Sequence, residues 1–313
     1  MMKTVLVTGA LGFCARHLLE KLRRDSGLRL CGIDIPQTAP AGLKIDAYSA
    51  VDVCDPTRLS NYLEAVKPDV IFHLAGIVGG DPFETYRVNF MGGLHLLEAV
   101  RQHVPRSRIL LVGSSAEYGP ALPDSLPLTE EHPCRPINAY GASKHAIVMA
   151  GSDYARNHGL NVVMARPFNI IGPGVPSTLV VGAFLGRIKA ALGKGERLVI
   201  RMGNLDTRRD FVDVADAVDA YTRMTAGDFT GEIFNICSGK PYSIRSIVET
   251  MASVAGLSIE IVQDPALVRH HEIEVSFGSY ERAERAFGFS PSTDIEASLL
   301  EIWRYETDPR SVS

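Results

Sequence analysis

No stretch of this 313-residue chain approaches the ~20 consecutive apolar residues that a membrane span requires. The apolar run at Thr4–Thr8 is cut by Gly9 and Gly12, too early for the h-region of a signal peptide. An excess of basic charge is missing as well: 32 Lys and Arg face 36 Asp and Glu, for a net charge of −4. With no basic stripe, a nucleic-acid partner is not expected. A phosphate-bearing ligand stays open, because a few placed arginines and a helix N-terminus suffice locally. Cysteine is sparse: Cys14, Cys31, Cys54, Cys134 and Cys237 are odd in number, scattered and without a C-x-x-C. That excludes a disulfide scaffold and leads us to expect reduced thiols in a cytoplasmic protein. The nine histidines contain no i,i+4 pair, and adjacent residues such as His270 and His271 point to different faces, so no metal is expected. Internal repeats, low-complexity segments and long charge runs are also lacking.

What is present is an ordinary globular composition, 46% hydrophobic and 22% charged, at a length that suggests two lobes. The first half alternates β-branched runs with helical patterns. Strands are expected at Thr4–Thr8, Leu28–Ile35, Ser49–Val53, Val70–Ala75, Ile109–Ser114 and Val162–Arg166. Helices are expected between them, at Cys14–Arg24, Arg58–Val66, Pro82–His103 and Tyr140–His158. Val5–Val7 and Ile109–Val112 are continuously apolar, the mark of strands covered on both faces of a parallel sheet. The pattern predicts an α/β fold, a Rossmann-type doubly wound parallel sheet, with a smaller mixed α/β substrate lobe. The dinucleotide-binding domain is placed at 1–168 plus about 207–236, and the lobe at about 169–206 plus 237–313. Within those later parts, helices are expected near Val180–Leu192 and Val212–Met224, and strands near Arg197–Met202 and Glu232–Ile236, the last returning to the main sheet.

Thr8-Gly9-Ala10-Leu11-Gly12-Phe13 follows an expected strand and opens an expected helix. Glycines there allow a tight turn and a close approach to a pyrophosphate, which the helix N-terminus stabilises. An ordinary strand–turn–helix produces the same spacing, so context has to decide. That context is Asp34 at the end of the second strand, 22 residues past Gly12, where an acid accepts hydrogen bonds from the adenosine ribose. A 2′-phosphate would meet like charge, so NAD(H) is favoured; Arg16 beside the turn leaves NADP(H) open.

Tyr140 and Lys144 lie one helical turn apart on one face. A phenol with a pKa near ~10 is a poor proton donor or acceptor at neutral pH unless a cation stabilises the phenolate. Ser114 closes an apolar strand at the sheet edge where ligands bind, and its hydroxyl can hold a substrate oxygen beside the phenol. Ser115 competes for that role.

These segments resemble the extended short-chain dehydrogenases/reductases, the NAD-dependent epimerase/dehydratase family. The resemblance rests on Thr8-Gly-Ala-Leu-Gly-Phe13, His73-Leu-Ala-Gly76, Asn89, Gly113-Ser-Ser-Ala-Glu-Tyr-Gly119, Tyr140-x-x-x-Lys144 and Arg166-Pro-Phe-Asn169, all in order. It implies catalytic roles for Ser114, Tyr140 and Lys144. It also implies dinucleotide contacts at Gly9, Leu11, Gly12, Phe13, Asp34, Asp52, Val53, Leu74, Ala75, Gly76, Asn89, Tyr140, Lys144 and Pro167. Family dehydratases carry an acid two residues after the catalytic hydroxyl, where this chain has Ala116; Glu117 is expected to face elsewhere on an extended segment. Segments 168–174, 203–211 and 234–239 resemble the GDP-mannose branch, and 261–266 with Arg269 resembles its reductase. The implied activity is reduction of GDP-4-keto-6-deoxy-D-mannose to GDP-D-rhamnose, with a GDP-sugar as substrate. Ser115, Asn169, Lys189, Arg209 (or Arg208) and Arg269 are the implied substrate contacts, and a homodimer through the 82–103 and 140–158 helices the implied assembly. Three other readings remain: a nucleotide-sugar 4-epimerase, a GDP-mannose 4,6-dehydratase-like enzyme, or a dinucleotide-binding sensor without catalysis.

Overall fold

A computed structural model describes residues 2–194, 198–264 and 273–308. Seven parallel strands form the main sheet: β1 (Lys3–Thr8), β2 (Leu28–Asp34), β3 (Ala47–Ala50), β4 (Val70–His73), β5 (Arg108–Val112), β6 (Asn161–Pro167) and β10 (Ile233–Ile236). Their order is β10-β6-β5-β4-β1-β2-β3, so the winding reverses between β1 and β4. Successive side chains of a strand point to opposite faces, and the two cores follow from that. Val5, Val7, Leu110, Val163 and Ala165 face one side, under α1 (Phe13–Leu22) and α7 (Val214–Ala226). Leu6, Ile109, Leu111, Val162 and Met164 face the other, under α2 (Pro56–Val66), α4 (Gly92–His103) and α5 (Ala139–His158). Each fully covered Leu or Ile contributes about 1.5–3 kcal/mol.

The remaining strands are β7 (Asn169–Ile171), β8 (Leu198–Met202), β9 (Arg208–Asp213), β11 (Pro241–Ser243), β12 (Ile259–Gln263) and β13 (Val275–Ser276). Strand β9 pairs with β7, β11 and β13, while β12 pairs with β8. With α6 (Val180–Lys194), α8 (Ile244–Val254) and α10 (Ile295–Thr307) they enclose a third core of Phe184, Ile188, Phe211, Ile247 and Ile302. A short α9 (Glu281–Phe287) packs against β10. No helix among the described residues is long and apolar enough to cross a membrane.

Several expected boundaries move. The stretch Pro82–His103 is not one helix: α3 (Pro82–Tyr86) and α4 flank a π-helical turn at Arg87–Met91. Residues 208–213 form β9, so the helix expected from Val212 begins only at Val214, as α7. Ser49–Val53 slides back to β3, and Cys54 lies outside any strand. Strand β5 stops at Val112, before Ser114.

Candidate active site

The strand-end loops meet where the winding reverses, the place at which open α/β sheets bind ligands. Gly9 has φ +65°, and a Cβ there would sit 2.7 Å from Ala75 Cα, so the turn after β1 packs directly on the loop after β4. Gly12 precedes α1, whose first turn no side chain caps. Those N–H groups point at the turn and suit a pyrophosphate. The Asp34 carboxylate accepts from Leu11 N at 3.0 Å and Ile35 N at 2.8 Å, one bond per oxygen, which leaves acceptor capacity for a ribose. The donor set therefore fits a dinucleotide. Phe13 is half-buried against His17, whose ring bonds the Pro173 carbonyl at 2.8 Å and ties α1 to the loop after β7. Asp52 accepts from Cys54 N and lies 3.8 Å from Arg87, while Val53 is buried beneath α4. Pro167 ends β6, buried at the same edge.

Beneath that edge the polar groups are tightly engaged. Thr8 Oγ1 bonds His73 Nδ1 at 2.8 Å and accepts from Ala75 N at 3.2 Å. Burial and the charge of Lys144 hold the His73 pKa down at about 3, so this imidazole is neutral. Asn89, in the π-helical turn, accepts from Ile77 N at 2.8 Å, donates to Ile77 O at 2.9 Å and donates to Ser143 Oγ at 3.2 Å. Its amide thus clamps the Leu74–Ile77 loop to α5.

Helix α5 carries the phenol and the ammonium. Asn138 caps it, accepting from Gly141 N at 2.8 Å, and Gly141 leaves room for the Ala116 carbonyl. Tyr140 falls in the first turn, with its phenol turned towards Ser114. Burial raises the Tyr140 pKa, and the neighbouring Ser114 hydroxyl opposes that rise. Lys144 is buried, donates to Val112 O at 3.0 Å and is driven down to about 8 by desolvation, against the pull of Glu117. The structure thus brings Ser114, Tyr140 and Lys144 together at the end of β5.

On the lobe side, Asn169 donates to Asp210 O at 2.7 Å. Arg209 donates to Arg208 O at 2.9 Å. Lys189, on the exposed side of α6, pairs with Glu306 at 2.9 Å. Ser115 is half-buried and opens a 3-10 turn. Arg269 lies outside the described residues.

The model of the NAD dependent epimerase/dehydratase family matches residues 5–237. The chain belongs to that family. As a member it is an NAD(P)-dependent enzyme acting on nucleotide sugars. It is 32% identical over 310 residues to the GDP-6-deoxy-D-mannose reductase of Pseudomonas aeruginosa, with 96% of each chain covered. It is 28% identical over 305 residues to the GDP-6-deoxy-D-talose 4-dehydrogenase of Aggregatibacter actinomycetemcomitans, covering 96% of this chain and 97% of that one. A solved structure of RMD from P. aeruginosa complexed with NADPH superimposes with a TM-score of 0.83 at 31% identity, covering 96% and 97%. The UDP-glucose 4-epimerase of Thermus thermophilus, complexed with NAD, gives 0.84 at 27% identity over 96% and 97%.

One expectation about this epimerase/dehydratase-family site is corrected. Glu117 does not lie on an extended segment: Ser115–Glu117 is a 3-10 turn, and the carboxylate folds back to accept from Ser114 N at 2.8 Å. The signal was in the sequence, as Ser114-x-x-Glu117 has the spacing of a capping box.

Proposed function

We propose that this enzyme reduces the 4-keto group of GDP-4-keto-6-deoxy-D-mannose, forming GDP-D-rhamnose. The observation that carries the reading is the surroundings of the Ser114–Tyr140 pair. The position two residues after Ser114 is Ala116, and the nearest carboxylate, Glu117, is buried in an ion pair with Arg166. Among the described residues no free acid is bonded to that hydroxyl to drive elimination of water, so reduction is favoured over dehydration. Two relatives named for GDP-6-deoxyhexoses support the GDP-sugar.

When bound, the nicotinamide supplies hydride to the keto carbon. The Gly9–Gly12 turn and the α1 N-terminus would hold the pyrophosphate, and Asp34 the ribose. Tyr140 gives its proton to the keto oxygen as negative charge develops there, and Ser114 donates a hydrogen bond to the same atom. Lys144, as a cation, stabilises the phenolate left behind. We assign Ser115 and Asn169 to sugar oxygens, and Arg209 and Arg269 to the diphosphate, which a guanidinium fork suits. Lys189 reaches the diphosphate only by leaving Glu306. The dimer we assign to the α3–α4 and α5 helices, on which Phe83, Met91 and Met149 are exposed. Five free thiols accord with a cytoplasmic location.

The deciding measurement is NADH absorbance with GDP-4-keto-6-deoxymannose. Steady oxidation is expected, and none would remove the reductase reading. Relatives named UDP-glucose 4-epimerase, such as that of Caenorhabditis elegans at 27% identity over 97% of each chain, support epimerisation as the second reading. An epimerase would retain tightly bound NAD and turn over without added reductant. For the cofactor, Asp34→Ala should raise kcat/KM for NADPH relative to NADH; a wild type that already prefers NADPH would overturn the ribose argument.

A further inference from the structure

Behind Ser114 lies a buried ion pair that the proposed proton transfer does not use. Glu117 is fully buried and Arg166 is 2% exposed. Arg166 Nε and Nη2 donate to Glu117 Oε2 at 3.0 and 2.9 Å, while Oε1 accepts from Ser114 N at 2.8 Å. The guanidinium is itself fixed. Its Nη1 donates to Tyr118 Oη at 3.1 Å, and Tyr118 in turn donates to Asn235 Oδ1 at 2.7 Å. Asn235 stands opposite Arg166 across the β6–β10 ladder and donates to Leu128 O at 2.9 Å. His145, the residue after Lys144, approaches Glu117 Oε2 to 3.4 Å.

We propose that Glu117, braced by Arg166, is a positioning residue for Ser114, holding its backbone N–H so that the hydroxyl stays aimed at Tyr140 and the substrate oxygen. Three neighbouring backbone groups support this. Val112 O is held by Lys144, Gly113 N donates to Ala165 O at 2.8 Å, and Ser114 N is held by Glu117. The strand end is therefore pinned at three successive residues, the first by a side chain from α5 and the third by one from the adjoining 3-10 turn. Gly113 completes the fit: a Cβ there would collide with Glu117 Oε1 and Val148. The carboxylate sits directly over the peptide whose orientation sets the hydroxyl. Small displacements of a reacting group lower turnover steeply, with about 1 Å capable of about 10²-fold. A buried pair braced at both ends supplies that precision.

The proposal rests on Ser114 acting in the reduction, so its test is a cycle of kcat values with the GDP-4-keto-6-deoxy sugar and NADH. The proteins are wild type, Ser114→Ala, Glu117→Asp and the double variant. Aspartate keeps the charge beside Arg166 but draws the acceptor back by one methylene. Ser114→Ala is expected to lower kcat about 10²-fold, in line with loss of one donor to a developing oxyanion. Glu117→Asp should lower kcat about tenfold with KM for NADH unchanged, and should do nothing further in the Ser114→Ala background, because linked residues are not additive. A loss of equal factor in both backgrounds, or no loss, overturns the positioning role. An unchanged kcat for Ser114→Ala would instead overturn the assignment of the serine itself. Glu117→Gln with Arg166→Met removes both charges yet keeps an acceptor for Ser114 N–H. Its kcat should stay within about threefold of wild type, the limit set by an intact hydrogen bond. A fall as large as that of Glu117→Asp would mean that charge, not the bond, is what matters. Should the neutral pair not fold, the aspartate cycle decides alone.

Discussion

Tyr140 and Lys144 share one buried environment and titrate in opposite senses because of it. Desolvation disfavours whichever form is charged, so the phenol is raised and the ammonium lowered, the latter to about 8. Tyr140→Phe should therefore cut kcat by about 10²–10⁴-fold, the range for losing a positioned acid. Dinucleotide affinity, read by fluorescence titration, should stay nearly intact, and unchanged turnover would reject the assignment. The lysine leaves a stability signature as well. With a folded pKa near 8 against an ordinary value of 10.5, the native state binds fewer protons than the unfolded chain between those limits. Below about pH 8 the buried ammonium destabilises by its full amount, on the order of 3 kcal/mol, and the penalty is relieved as pH rises towards 10.5. Urea unfolding of the dinucleotide-free protein should show wild type gaining on Lys144→Met between pH 8 and 10; a parallel pH dependence would contradict the burial argument.

At the scale of the element, the start of α5 does several jobs within two turns. Asn138 satisfies an orphan N–H, Gly141 lets the helix approach Ala116, and Tyr140 and Lys144 follow on the face turned towards β5. Losing the cap should be felt as about 1 kcal/mol in urea unfolding of Asn138→Ala, the usual worth of such a bond. A difference below about 0.3 kcal/mol would indicate that packing alone holds this terminus. The Tyr-x-x-x-Lys spacing made the paired face readable, since residues four apart share a helix face. The π-helical turn at Arg87–Met91 was not readable from the apolar pattern of 82–103. That turn serves Asn89, whose three bonds reach Ile77 and Ser143, partners 12 and 54 residues away in sequence. Strand β9 was hidden for a similar reason: Arg208, Arg209 and Asp210 resemble a loop until Asp210, fully buried, accepts from Ser238 N, Ser238 Oγ and Gly239 N.

For the whole molecule, the two covered faces of the sheet were visible in advance because alternation along each buried strand leaves no polar face. The return of β10 beside β6 completes that sheet and places Asn235 against Arg166. Substrate is expected at the strand ends, between this sheet and the lobe built around β9. Ligands that prefer the native state stabilise it by mass action, about 2.7 kcal/mol at a hundred times Kd. In a thermal-shift series, GDP-sugars should raise the Tm by several degrees in the presence of NADH, with UDP- and dTDP-sugars giving less. An equal or larger response to a UDP-sugar would favour the epimerase reading.

Local chemistry in the chain was enough to determine the doubly wound sheet, the glycine turn with its acid, and the Tyr140–Lys144 face, because each is written in short-range spacing or in the period of one element. What depended on tertiary structure was the company those groups keep: Glu117 buried against Arg166, Arg166 braced through Tyr118 and Asn235, and His73 held neutral beneath Lys144. Unlike the short Ser114–Glu117 turn, those relations join residues tens of positions apart, and their strength comes from exclusion of water, which no stretch of sequence possesses until the sheet and its helices close over it.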